Sequence, residues 1–165
     1  MYKYLPLAVL ALSPLVGVAA ETENDRWNLA DLYASTDAWK ADSAKLESQL
    51  KDFAACQGKL GESVKRFHAC MDMDADILRR YERLSSYASQ LHDQDTGASI
   101  GQDLNQKADI LGNKVDEATS FVRPEVLKLG GKKIGDYLKQ DKGLAIYTHP
   151  LDKILRAAPH TLDAK

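Results

Sequence analysis

From Trp39 onward the apolar positions of this chain recur at helical intervals. Leu46, Leu50 and Phe53 follow Trp39 at spacings of seven, four and three, which places all four on one helix face. Ser35, Thr36 or Asp37 can cap the start of this helix by accepting a bond from an orphan backbone N–H, and the region of Gly58 ends it. A short second helix is predicted around Glu62 to Met71, with Val64, Phe67 and Cys70 or Met71 on one side. Asp72 or Asp74 then offers a cap for a long third helix whose seam is Ile77, Tyr81, Leu84, Ala88 and Leu91. The fourth helix is the most regular. Ile100, Leu104, Ala108, Leu111, Val115, Ala118 and Val122 keep the rhythm of three and four, and Ser99 with Gln102 matches a capping box at its start. The polar turn HDQDTG between the last two is of the length that makes neighbouring helices antiparallel.

After Val122 the pattern breaks up. Pro124 lacks a backbone donor and is predicted to open a new short helix at its first position. PEVLKL, GKKIGDYLKQ and AIYTHPLDKILR follow as short amphipathic pieces punctuated by Gly130-Gly131, Gly143 and Pro150. No stretch alternates with the period of two that a half-buried strand needs. The predicted class is all-α, an antiparallel bundle of helical hairpins. Its segments are an arm at 21–34, a helical bundle at 35–122 and short helices at 123–165.

Residues 1–20 stand apart from this pattern. One Lys precedes an apolar run broken by two prolines, and Val18-Ala19-Ala20 supplies the small residues of a cleavage site. The expectation is a cleaved signal peptide and a secreted or periplasmic protein, because the run is shorter than the roughly 20 residues a membrane-spanning helix needs. No membrane association is expected after cleavage. In an oxidising compartment Cys56 and Cys70 can form a disulfide if the chain turns between them, as Gly58 and Gly61 allow. Two buried free thiols are the alternative.

Charge narrows the function classes further. The 165-residue chain carries a net charge of −2 and no Lys/Arg block, so nucleic acid is not an expected partner. HACMDMDAD, residues 68–76, gathers a His, a Cys and three acids, but a calcium loop would need Gly where Ile77 stands and Glu where Arg83 stands. The acids read instead as N-terminal charge for the third helix. None of His68, His92, His149 and His160 opens the H-E-x-x-H motif of zinc hydrolases, and no G-x-S-x-G elbow or phosphate-cradling Gly loop occurs. His68 and His92 read as histidines near helix ends, with His92 in a wet turn. No residue is assigned a catalytic, cofactor-binding or metal-ligating role.

Three stretches nevertheless carry a resemblance. RWNLADLYASTDAW (26–39) is similar to the W-x-L-x-x-L-Y opening of oligoendopeptidase F proteins, FVRPEVLKL (121–129) to their F-x-x-P-E segment, and YTHPLDKILRAAPHTLD (147–163) to their R-x-x-x-H-x-L stretch. The chain therefore resembles the N-terminal portion of that family of zinc metallopeptidases, related to thimet oligopeptidase. The resemblance implies a helical N-terminal lobe forming one wall of a channel for short peptides. Zinc, H-E-x-x-H and a later Glu are implied for the complete enzyme, in a C-terminal catalytic domain that this chain would need as its partner. A fragment of that kind is expected to be inactive alone. A freestanding helical module that binds peptides or proteins without catalysis is the second reading. Against it stands the tail from Leu144 to Leu155, whose apolar residues would be left as an exposed patch. His160 matches a position ahead of the family's catalytic domain and is expected at a helix boundary, with Thr161 or Asp163 as a cap.

Overall fold

The computed structural model describes residues 27–158, so residues 1–20 and the His160 region lie outside the described part. Five α-helices follow one another: α1 (Thr36–Phe53), α2 (Val64–Gln94), α3 (Ser99–Thr119), α4 (Val122–Gln140) and α5 (Thr148–Arg156). Short 3-10 turns stand before α1, after it and before α5, and no strand occurs among the described residues. The all-α expectation is met.

α1 begins as its sequence foretells, with the Ser35 hydroxyl accepting the Ala38 N–H at 3.2 Å. The next stretch is a correction. Predicted as two helices, it is one helix of 31 residues, capped by Ser63, whose hydroxyl accepts the Arg66 N–H at 3.1 Å. Asp72 and Asp74 cap nothing, because Phe67, Cys70 and Ile77 already share one buried stripe and the backbone runs through the acids without a break.

The start of α3 is also corrected. Ala98 is its N-cap with no side-chain bond, Ser99 is the first helical residue, and the Gln102 amide donates to the Thr96 carbonyl at 2.8 Å. The seam opens at Gly101 rather than Ile100, which is 40% exposed. A Cβ on Gly101 would lie 2.8 Å from the His92 Cα, so this glycine lets α3 pass close to the end of α2. Leu104, Ala108, Leu111 and Val115 then bury against α2, the pair with the most extensive contact.

α3 stops at Thr119 and α4 starts at Val122, so Val122 belongs to the later helix. Pro124 sits at the third position of α4, not the first. That position is still within the first turn, where the backbone N–H has no intrahelical partner to lose. Pro150 holds the same place in α5. α4 is kinked at Gly130, whose φ of 74° and ψ of 162° leave the helical region, so the two amphipathic pieces predicted on either side of it persist. Trp39, Leu46, Phe53, Phe67, Ile77, Leu84, Leu104 and Ile134 centre the core.

The apolar tail is covered. Leu144 and Leu151 are fully buried, Tyr147, Ile154 and Leu155 pack against the core, and Ile146 stays open at 73% exposure. The exposed patch expected from the sequence is not formed, because α4, α5 and the 3-10 turn between them pack on one another.

Candidate functional site

Three local arrangements carry polar chemistry in this fold. The first lies where α1 meets α3. A groove of about 510 Å³ has Leu50 and Phe121 buried at its base, with Glu47, Lys51, Lys114 and Glu117 among its lining residues. A second groove of about 350 Å³ shares Glu47 and Lys114 with it and extends to Trp39 and Ile110. Ile110 is half exposed there. The Lys114–Glu47 ion pair, at 2.5 Å, joins the two helices between the grooves, and both side chains remain about half exposed. Such a pair is screened by water and contributes little. Together the two form an elongated, partly apolar surface of the size that small ligands occupy.

The second arrangement surrounds the turn between α1 and α2. Cys56 and Cys70 are bonded, with their Cα atoms 5.9 Å apart, so of the two alternatives for these cysteines the disulfide is the one observed. Gly58, at φ 78°, supplies the left-handed step of the turn. From α4, the Glu125 carboxylate accepts the Gly58 N–H through Oε1 and the Leu60 N–H through Oε2, the latter at 3.3 Å. Lys133 Nζ and the Tyr137 hydroxyl both donate to the Gly61 carbonyl, at 2.8 and 3.1 Å. The Glu of the F-x-x-P-E stretch therefore orders a backbone turn 67 residues earlier in the chain. Nothing local in the sequence points to that pairing.

The third is centred on His68, in the second turn of α2. Its Nδ1 lies 2.6 Å from Asp141 Oδ2, and its Nε2 lies 3.5 Å from Asp72 Oδ1. Asp141 also accepts the Gly143 N–H at 2.9 Å. The His68 bond holds the Asp141 carboxyl below the usual carboxylate range, assisted by the Gly143 N–H. The Tyr147 hydroxyl donates to Asp72, and burial with that carboxylate pushes the phenol up to about 12.

The three acids of residues 72–76, predicted to act as one charged helix start, have three different environments. Asp72 receives Tyr147. Asp76 accepts the Gln49 amide at 2.8 Å and faces Arg80, and the Gln49 bond leads in lowering its pKa. Asp74 lies half-buried on the core stripe with no side-chain hydrogen-bond partner among the described residues, and burial raises its pKa to about 6.

Zinc, implied by the resemblance, finds no fitting donor set here. Among the described residues no group of three or more His, Cys, Asp or Glu side chains is arranged to hold a metal ion. The nearest approach to one, at His68, has its Nδ1 committed to Asp141 and Asp72 committed to Tyr147. His92, expected in a wet turn, is partly buried with Nδ1 unpartnered, because α3 closes over it at Gly101; His149 is exposed.

The W-x-L-x-x-L-Y stretch also has a structural role. The Trp27 carbonyl accepts the Gln94 amide at 3.0 Å, and Tyr33 packs edge-on against Tyr87 at 5.5 Å between ring centroids. Arg83 lies over the Tyr33 ring at 4.2 Å, and the Tyr33 hydroxyl donates to Asp42. This network ties the arm to α1 and α2.

Comparison with known proteins agrees with this architecture. The oligopeptidase F family model matches residues 125–165. Oligopeptidase PepF of Bacillus subtilis (strain 168) is 30% identical over 141 residues, 86% of this chain and 21% of that protein. Group B oligopeptidase PepB of Streptococcus agalactiae is 29% identical over 140 residues, 85% of this chain and 23% of that protein. The crystal structure of oligoendopeptidase-F from Enterococcus faecium superposes with a TM-score of 0.73 at 30% identity, covering 78% of this chain and 25% of that one. The chain spans about a fifth to a quarter of the length of these relatives.

Proposed function

We propose that this chain, an oligoendopeptidase F-like N-terminal portion, serves as the helical lobe that walls the peptide cleft of a zinc metalloendopeptidase acting on short peptides. The observation that carries the reading is a shared helical architecture, at 30% identity, with about a quarter of an oligoendopeptidase-F chain. In this reading the lobe supplies shape, and the metal and general base come from an H-E-x-x-H segment outside these residues. The hydrolytic water needs a coordinated cation to be acidic enough at neutral pH, and the described residues offer none of the required ligands in one place. The α1–α3 groove, apolar at its base and bordered by paired charges, is the surface of the lobe suited to an extended peptide.

Export to an oxidising compartment, secreted or periplasmic, forms part of the proposal. It is supported by the signal-like composition of residues 1–20 and by a buried disulfide, a bond that persists where thiols are not kept reduced.

The purified 165-residue chain, supplied with zinc and a short internally quenched peptide, is expected to show no turnover. Zinc-dependent cleavage that survives exclusion of contaminating proteases would overturn the assignment. The nucleotide sequence following the Lys165 codon supplies the positive half of the test, since an H-E-x-x-H codon set in any frame is expected there.

One observation favours the second reading, a self-sufficient peptide- or protein-binding module. Leu144 and Leu151 are buried within the chain itself, so the tail does not require another domain to cover it. Titrating a short peptide into the isolated chain separates the two readings. Saturable amide shifts at Leu50, Ala118 and Phe121 support the module; their absence supports a lobe that binds only when completed.

A further inference from the structure

We propose that the Cys56–Cys70 disulfide is a redox-sensitive latch controlling whether the α4–α5 hairpin stays docked on the α1–α3 bundle. The inference does not depend on the hydrolytic role proposed above. It rests on where the bond lies. Cys56 ends the 3-10 turn that closes α1, and Cys70 lies in the second turn of α2, so the bond closes the intervening segment. The backbone of that segment is what α4 holds.

Glu125 reads two of its N–H groups, and Lys133 and Tyr137 read the Gly61 carbonyl. These bonds exist only while residues 58–61 keep one conformation, with Gly58 in the left-handed region. Two glycines within four residues make that conformation costly to hold in an unconstrained chain. A cross-link that shortens the free loop lowers this cost.

Two further features make the docking sensitive. A cleft of about 440 Å³, lined by Gly58, Gly61, Glu125, Lys128, Leu129 and Lys133, lies between the turn and α4, beside the point where Leu129 packs so closely that a Cβ on Gly61 would lie 2.8 Å from it, so the fit depends on where the turn's backbone is held. Downstream, the hairpin joins the core through Ile134, Tyr137, Leu144 and Leu151, and adds two partly exposed polar contacts to α2, His68–Asp141 and Tyr147–Asp72. Loosening the turn therefore removes the polar contacts at one end of the hairpin and leaves those at His68 and Tyr147 in place.

The chemistry is thiol–disulfide exchange with a small or protein dithiol as reductant. A thiolate of the dithiol attacks one sulfur, releasing the other as a thiolate and forming a mixed disulfide. The second thiol of the reductant displaces the remaining protein sulfur. Two electrons and two protons pass to Cys56 and Cys70, and the reductant leaves as its own disulfide. Both sulfurs belong to buried residues, at 2% and 0% exposure, so attack requires the turn to open first. Docking and the disulfide thus protect each other, as linkage demands of two coupled equilibria.

Hydrogen exchange on the oxidised and dithiothreitol-reduced 165-residue chain tests the latch. Reduction is expected to accelerate exchange in residues 57–63 and 122–140 about tenfold more than in the α2–α3 seam at 77–88 and 104–115. A second measurement uses Glu125→Ala, in which dithiothreitol should reduce the disulfide about tenfold faster than in the unaltered chain, because attack on the buried sulfurs waits for the turn to open. Equal acceleration of exchange everywhere would mean a general staple and would overturn the proposal, as would unchanged exchange in α4. If Glu125→Ala does not fold, reduction of the unaltered chain still decides the matter.

Discussion

In the α1–α3 bundle an apolar seam runs from Trp39 through Leu84, Leu104 and Val115, whereas α4–α5 joins the same core at Val126, Ile134, Leu144 and Leu151 and adds separate polar clasps to it. Phe53 against Phe121 and Phe67 against Tyr137 supply aromatic contact there, at 5.1 and 5.4 Å between ring centroids. Polar clasps add to these: Glu125 on the turn, His68 on Asp141, Tyr147 on Asp72. A seam fails only when the whole bundle opens, because each side chain is held by the next. Clasps fail one at a time.

The largest effect expected from this contrast is at Leu84, fully buried, whose carbonyl accepts the Trp39 indole N–H at 2.8 Å. Leu84→Ala should cost about 2–5 kcal/mol and lower protection throughout α1–α3. Ile134→Ala in α4 removes a comparably buried side chain, yet exchange should rise first in α4 and α5. Matching exchange profiles for the two variants would erase the distinction between the regions. Hydrogen exchange with urea denaturation of each variant measures both.

Asp74 gives a smaller effect of opposite sign. Its carboxyl, raised to about 6 by burial, is harder to ionise in the folded chain than in the unfolded one. The penalty is full above pH 6, shrinks as the pH falls toward the unfolded value of 3.8, and is absent below it. Asp74→Asn should therefore stabilise the chain at pH 7 by about 1–2 kcal/mol, a figure reduced because the group is only partly buried. The gain should disappear below about pH 4. A gain independent of pH in thermal unfolding would contradict the burial argument.

The smallest change is expected at the groove. Lys114→Ala breaks the half-exposed pair with Glu47 and should alter stability by less than about 0.5 kcal/mol, measured by denaturant titration in low salt. A loss above 1 kcal/mol would mean that the α1–α3 contact depends on this pair in the way the hairpin depends on its clasps.

Helical periodicity carried the reading of the bundle far. The faces of α1 and α3 and the polar turn between the last two bundle helices were legible because burial repeats with the helix. Where the reading went astray, at Asp72 and Asp74, a local rule about caps competed with a seam that continued through them. Composition alone does not say which prevails; Tyr147, 75 residues beyond Asp72, takes up one of the acids. The roles of Glu125 and His68 were not legible at all, since each depends on a partner brought near by folding.

The chain's own sequence determined the buried faces of the helices, the cap at Ser35 and the all-α class, because propensity and periodicity act over one or two turns. Tertiary structure decided that the two cysteines meet, which carboxylate orders the turn between α1 and α2, and which acid is left without a hydrogen-bond partner among the described residues. Those outcomes depend on distances between residues far apart in sequence, and such distances exist only once the helices have packed.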